Sequence, residues 1–257
     1  MNRILRKGLR ALFGHDPHYF DMYLDPEEAL LAQRYLQAMT PHLAAVKTGN
    51  PLALLDAGCQ AGRLAIPLAE RGHRLIGVDT SGFALRRARQ HSQRARVKIR
   101  WIKGDILRVL PKFPPGSFDG ILCIEVLYLR QNFLEILEAF RGALRQGGIL
   151  MTSHRPLTHY LKAARERQDP ETARFIETHR EGELWGSYFN WQTASELPEL
   201  YRQVGFSVRE IRPIERCTEE PHYLLVVAQK ARITADQNAD FRGYPLQSAQ
   251  NPRSSAL

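Results

Sequence analysis

Between Leu52 and His154 the chain alternates between two hydrophobic rhythms. Short apolar runs of strand length occur at "LALLDAG" (52–58), "HRLIGVDT" (73–80), "VKIRWIKGD" (97–105), "SFDGILCIEVL" (117–127) and "GILMTSH" (148–154). Between them lie stretches whose apolar positions recur at helical spacing. These are "GRLAIPLAERG" (62–72), which ends on Gly72 and carries Pro67 as an expected kink, "SGFALRRARQHSQ" (81–93) and "NFLEILEAFRGALRQGG" (132–148), with a glycine stop. A strand apolar on both faces must be covered on both faces, so the pattern predicts an α/β fold with a parallel sheet between two helix layers. Upstream, "DPEEALLAQRYLQAMTPHLAAV" (25–46) predicts a helix opened by Asp25 and Pro26, with Glu27 and Glu28 in its first turn. Downstream the alternation stops. Residues 155–192 are polar, aromatic and irregular, and read as a lid insertion. A helix (193–206) and two strands, "SVREIRPIE" (207–215) and "HYLLVVAQK" (222–230), follow, and the short link between the strands is compatible with antiparallel pairing. The expected organisation is a helical cap over 1–50, a main domain over 51–230 and a disordered tail over 231–257.

Composition narrows the class without changing this picture. The 257 residues are 44% hydrophobic and 25% charged, enough for one large domain with a full core. No apolar run reaches the roughly 18 residues of a membrane span. The first residues, "MNRILRKGLRALFGHD", lack the continuous apolar block of a secretory leader. Three scattered cysteines, Cys59, Cys123 and Cys217, suggest neither a disulfide framework nor a zinc site, so a cytoplasmic protein with free thiols is expected. The net charge of +9 permits a nucleic-acid or anionic-membrane partner without demanding one. Much of that charge falls in 86–100 and is read as a solvated helix face. Residues 1–14 place Ile4, Leu5, Leu9, Leu12 and Phe13 among Arg3, Arg6, Lys7 and Arg10. Such a helix can lie on a membrane, although packing as a cap is the plainer reading.

The chemistry concentrates at strand ends. An open parallel sheet binds ligands at the carboxyl ends of its strands, where the strand order reverses. Gly58 and Gly62 flank the first turn, where glycine lets backbone approach a ligand. Asp79 ends the second strand 21 residues after Gly58, a spacing suited to accepting hydrogen bonds from two ribose hydroxyls. Asp56 precedes the first glycine. It would repel a pyrophosphate and attract a cationic amino-acid group. The run "DAGCQAG" is not Gly-x-Gly-x-x-Gly, which places a nicotinamide oxidoreductase last. A third acid, Asp105, ends the third strand, where it can meet an adenine edge.

In the order "LLDAGCQAG", "GVDTS", "KGDIL", "FDGILCIEVLYL", "ALRQGGIL" and "ELPELYRQVGF", the chain resembles the class I S-adenosylmethionine-dependent methyltransferases, especially the small-molecule group, over roughly Leu52 to Lys230. The resemblance implies a Rossmann-like, doubly wound seven-stranded sheet with its last strand antiparallel and helices on both faces. It implies that Asp56, Gly58 and Gly62 shape the methionine end of a pocket for S-adenosyl-L-methionine, that Asp79 and Thr80 meet the ribose, that Asp105 and Ile106 face the adenine, and that Glu125 lies near the methyl or amino end. Gln60 stands where the family usually has glycine. It fits if its backbone stays in an ordinary region with the side chain outward, and its amide can bond the methionine carboxylate. The ubiquinone-pathway O-methyltransferases carry Glu-Val-Leu-Glu-His where this chain has "EVLYL", so Glu125 remains, the second acid and the histidine do not, and no metal is expected.

Methyl transfer from a sulfonium needs mostly alignment and water exclusion, with a base only where the acceptor carries a proton. His154, just after the fifth strand with Arg155, is the candidate base, with Glu125 as a second catalytic candidate. His159, Tyr160, Trp185, Tyr188 and Trp191, with Phe189 and Asn190 among them, are candidate walls of an acceptor pocket, since aromatic walls with a few polar groups suit a small organic molecule. The expected activity is methyl transfer to a small-molecule acceptor. An RNA or protein acceptor, supported only by basic charge, and a non-catalytic cofactor-binding protein are the alternatives. The Asn/Asp-Pro-Pro-aromatic signature of amino methylation of bases is absent after the fourth strand, and Cys123 lies inside an apolar strand.

Overall fold

A computed structural model of the chain describes residues 26–46, 51–215 and 221–231. The expectations for residues 1–14, for Asp25, for Cys217 and for the tail beyond residue 231 lie outside the described residues. The first described helix, α1 (Pro26–Ala44), buries Leu31, Ala32, Tyr35, Leu36, Met39 and Leu43, residues at the helical spacing of its sequence. Strands β1 (Ala53–Ala57), β2 (Arg74–Asp79), β3 (Ile99–Lys103), β4 (Phe118–Cys123) and β5 (Leu144–His154) follow, with helices α2 (Ala65–Glu70), α3 (Gly82–Arg94), the single turn α4 (Ile106–Val109) and α5 (Phe133–Ala143) between them.

The seven-stranded sheet runs β3-β2-β1-β4-β5-β9-β8, where β8 is Phe206–Glu215 and β9 is Pro221–Lys230. The first five strands pair in parallel, and β9 runs antiparallel to both β5 and β8. Period-two alternation divides the interior between the sheet faces. Leu55, Ala57, Ile121, Cys123, Leu150 and Val226 join one core, under α5 and α8 (Leu197–Gln203). Leu54, Leu75, Leu122, Ile149, Met151 and Val227 join the other, under α1 and α2. Strand order reverses between β1 and β4, where chain connections leave in opposite directions and open a crevice at the strands' carboxyl ends.

Several local expectations need correction. Pro67 does not kink a long helix: α2 begins only at Ala65, so Pro67 falls in the first turn, where its missing N–H has no helical partner to lose. Strand β4 ends at Cys123, and Leu127–Leu129 turn as a short 3-10 helix. Helix α5 stops at Ala143, ahead of the expected glycine stop. The glycines serve β5 instead, whose ladder with β4 slips between Phe118 and Gly120, with Gly147 at φ +74°. Residues 155–192 are not irregular. They form α6 (Leu157–Glu166), α7 (Pro170–Thr178) and the hairpin β6–β7 (Glu181–Leu184, Ser187–Asn190), packed on a core of Tyr160, Ala164, Ile176, Leu184 and Trp191.

Candidate functional site

The turn after β1 is built around one carboxylate. Asp79 Oδ2 accepts from the Gln60 backbone N–H at 2.9 Å, and Oδ1 accepts from the Ser81 N–H at 2.7 Å. The end of β2 thus ties the turn to the start of α3, where Ser81 caps Ala84. Gly58 has φ +84°, and a Cβ there would sit 2.3 Å from Val126 Cγ2, so only glycine fits between the turn and the segment after β4. Gln60 departs from its expected conformation: its backbone lies in the left-handed region at φ +46°, and the residue lines the cavity.

That cavity, of about 280 Å³, occupies the crevice at the strand-order reversal. Gly58, Gln60, Asp79, Thr80, Asp105, Ile106 and Glu125, seven of the residues expected from the sequence, line it together. Asp105 caps α4 through the Leu107 N–H at 3.0 Å and holds Arg130 at 2.9 Å. Val78, Phe83, Ile106, Val126 and Leu129 supply apolar wall. An apolar slot with one carboxylate at the end of β2 and another at the end of β3 matches an adenosine moiety in chemistry: a flat apolar base, an exocyclic amine and a ribose diol.

Asp56 and Gly62, also expected at the pocket, lie behind it. Asp56 is 3% exposed and accepts the Ala65 N–H. Burial pushes its carboxyl up to about 7, with Arg63 opposing and Asp79 adding to the rise. Gly62 leaves room for the Trp101 ring, which a Cβ would approach to 2.9 Å. These two residues hold up the turn and do not line it.

Glu125 is the junction between the cavity and the interior. It is 3% exposed at φ +61°, and its N–H donates to Ser153 Oγ at 2.7 Å. Its Oε1 takes Arg63 Nη2 at 2.5 Å, and its Oε2 accepts from the Tyr223 hydroxyl at 3.0 Å. Arg63 also donates to Glu28 Oε2 at 2.7 Å and lies over the Tyr35 ring of α1, 5.9 Å from its centroid. Burial alone would weaken the guanidinium's hold on its proton, but Glu125 and Glu28 outweigh that and raise its pKa. Sequence reasoning missed this network. Glu28 reads as a first-turn acid complementing the helix dipole, yet it is fully buried against Arg63, and the one available signal was an arginine directly following Gly62 in the turn.

His154 does not stand at the pocket edge. Alternation along β5 sends Ser153 toward Glu125 and His154 to the opposite face. There its Nε2 meets the Tyr201 hydroxyl at 2.9 Å, and its ring lies edge-on to Phe133 and Tyr201. It is completely buried, and burial drives its pKa down to about 4. A neutral imidazole sealed under α8 has no path to an acceptor. The aromatic candidates of 155–192 also miss the cavity. Trp191 is fully buried and donates its indole N–H to the Ile176 and His179 carbonyls, with Tyr160 at 5.5 Å between ring centroids. Trp185 turns the hairpin at φ +52° under Arg167, and Tyr188 donates across the hairpin to Glu181. Phe189 packs on Tyr160, and Asn190 donates to the Leu127 and Arg130 carbonyls, fastening the hairpin to the segment after β4. His159 stacks edge-on against Tyr160 and His222. Cys59 and Cys123 are buried, and burial raises both thiols, which leaves them inert.

A doubly wound sheet whose glycine turn is clamped by the acid ending β2 defines a nucleotide-type cofactor-binding domain. Residues 54–148 match a family model described as a methyltransferase domain. Ubiquinone biosynthesis O-methyltransferase of Xanthomonas campestris pv. campestris is 30% identical over 125 residues, covering 47% of this chain and 52% of the relative. The protein of the same name from Ralstonia nicotianae is 28% identical over 175 residues, covering 66% and 70%. The chain thus spans about half the length of the first of these curated relatives. In fold it is similar to 1,6-didemethyltoxoflavin-N1-methyltransferase from Burkholderia thailandensis, solved with S-adenosylhomocysteine, at TM-score 0.62 and 20% identity over 89% of this chain and 88% of that one. Magnesium protoporphyrin IX methyltransferase from Synechocystis, also solved with S-adenosylhomocysteine, matches at TM-score 0.62 and 19% identity over 89% and 99%. Residues 54–148 are therefore similar in sequence to methyltransferase domains, and the whole fold is similar to that of methyltransferases solved with S-adenosylhomocysteine. Among the described residues no helix is long and apolar enough to cross a membrane.

Proposed function

We propose that this protein is a cytoplasmic enzyme that binds S-adenosyl-L-methionine in the cavity between β1, β2 and β4 and transfers its methyl group to a small-molecule acceptor. The observation that carries this reading is Asp79: a carboxylate fixed by the Gln60 and Ser81 N–H groups at the end of β2, lining the same cavity as Asp105 and Glu125. Asp79 receives the ribose hydroxyls, with Thr80 beside it, and Asp105 with Ile106 meets the adenine. Gly58 and Gln60 shape the turn beside the methionine portion. Glu125, clamped by Arg63 and Tyr223, attracts the amino group and orients it, a tethered role better suited to positioning than to carrying a proton away. The bound cofactor supplies an already activated sulfonium methyl. The protein holds the reacting atoms in line and keeps water out. A general base is not assigned, because His154 faces the wrong core. The relatives and neighbours described above are methyltransferases of small molecules, which favours that acceptor class over RNA or protein. Residues 155–192 are fastened to the cavity segment through Asn190.

Calorimetric titration with S-adenosylmethionine, S-adenosylhomocysteine and NAD tests the reading. Binding of both sulfur ligands, lost in Asp79→Ala, is the expected result. Binding of NAD instead, or of neither sulfur ligand, sinks it.

A further inference from the structure

Arg155 follows β5 directly, at the carboxyl end of the sheet. Its guanidinium lies over two aromatic rings, 4.8 Å from the Tyr128 centroid and 5.3 Å from that of Tyr223. Its Nη2 donates to the Tyr223 hydroxyl at 3.2 Å, while its Nε is buried and has no acceptor. No carboxylate among the described residues pairs with it, in contrast to Arg63, which holds two. The titratable groups around neighbouring His159 are Arg155, His222 and Lys162, all basic. A largely buried cation without a counter-charge is costly and normally meets a partner. Its planar fork has five donors and matches a carboxylate in shape. The Tyr223 hydroxyl that receives Arg155 also donates to Glu125, which lines the cofactor cavity, so one hydroxyl joins the two places.

We infer that Arg155 recognises a carboxylate group on the methyl acceptor, which makes the substrate an acidic small molecule held by its anionic end beside Tyr128 and Tyr223. The inference rests on the methyltransferase reading above. Tyr128 and Tyr223 hold the guanidinium in place, and the donors that the Tyr223 hydroxyl does not take are those offered to the acceptor.

The test uses the full chain loaded with S-adenosylhomocysteine. Acetate, benzoate, 3-phenylpropionate and cinnamate are titrated, each beside its own carboxamide, by ligand-observed NMR. At least one acid is expected to bind roughly tenfold tighter than its amide, the scale of one charge-assisted hydrogen bond. Arg155→Gln should erase that preference and Arg155→Lys should keep part of it, with S-adenosylhomocysteine affinity unchanged in both as proof of folding. Equal binding of acids and amides, absence of binding by every acid, or a preference that survives Arg155→Gln overturns the inference. Failure of S-adenosylhomocysteine to bind the unmodified protein would instead remove the methyltransferase reading itself.

Discussion

Residues 54–130 and residues 155–192 both carry side chains of the types that build binding sites, and they use them in opposite ways. In the first region, acids and glycines sit at strand ends and turns, where the backbone dictates their direction, and Gly58, Asp79, Asp105 and Glu125 line one cavity. In the second, Tyr160 and Trp191 close a small core of their own, and Trp185 and Tyr188 dress the outside of a hairpin. A carboxylate ending a parallel strand can point only into the crevice or into the sheet. An aromatic side chain on a helix or hairpin goes wherever its large apolar surface is best covered, which here is against its neighbours. Residue type at a topologically fixed position is therefore stronger evidence for a site than residue type in a variable segment.

The largest expected effect strikes the junction of the first region. Arg63→Met leaves Glu28 and Glu125 buried without a cation and should destabilise the fold by about 3–5 kcal/mol in urea unfolding, with loss of S-adenosylhomocysteine binding. A variant as stable as the parent would mean that the pair is not a structural clamp. Trp191→Ala should cost about 3 kcal/mol in the same assay, the scale of a large aromatic removed from a core, yet leave S-adenosylhomocysteine affinity unaltered. A tenfold loss of affinity there would collapse the contrast between the regions.

The pH dependence sharpens the contrast within the first region and its neighbour β5. Asp56 has a folded pKa of about 7, above its unfolded value, so the folded state takes up a proton that the unfolded state refuses, and stability grows as pH falls from 7 toward 4. His154 has a folded pKa of about 4, below its unfolded value, so the unfolded state takes the proton, and stability falls over the same window. The two shifts oppose each other and should nearly cancel. Asp56→Asn removes one side of that balance, and its urea midpoint should drop between pH 7 and 4.5 by an amount corresponding to roughly 2–3 kcal/mol relative to the parent. Parallel pH curves for parent and variant would show that Asp56 is not held protonated. The smallest effect belongs to Gln60→Gly, which relieves a left-handed backbone and should change stability by no more than about 1 kcal/mol. Unchanged affinity for S-adenosylmethionine in that variant would exclude a direct contact from the Gln60 amide.

Much of the cofactor side was legible from residues alone. The spacing of Gly58, Asp79 and Asp105 along alternating strands and helices placed three groups that do share a cavity. The same reading put Asp56 and Gly62 in the pocket, because it identifies the turn but not which of its residues face inward. It placed His154 at the edge because the last residue of β5 is next to the site in sequence, while one step along a strand moves a side chain to the other face. It did not find Arg63, whose partners come from α1, 35 residues before it, and from the end of β4, 62 residues after it.

What the sequence by itself determined is what depends on neighbours along the chain. The change between period two and period 3.6 set the order of strands and helices, and the paired glycines with an acid after each of the next strands set much of the chemistry that lines the crevice. What only the tertiary structure decided is what depends on residues brought together from far apart. The Glu28–Arg63–Glu125–Tyr223 network, the burial of His154, the separate core around Trp191 and the Arg155 guanidinium held among tyrosines all come from packing one element on another. Local periodicity states which face of an element is buried. It does not state what lies across from it, and a charge in the interior is defined by what lies across from it.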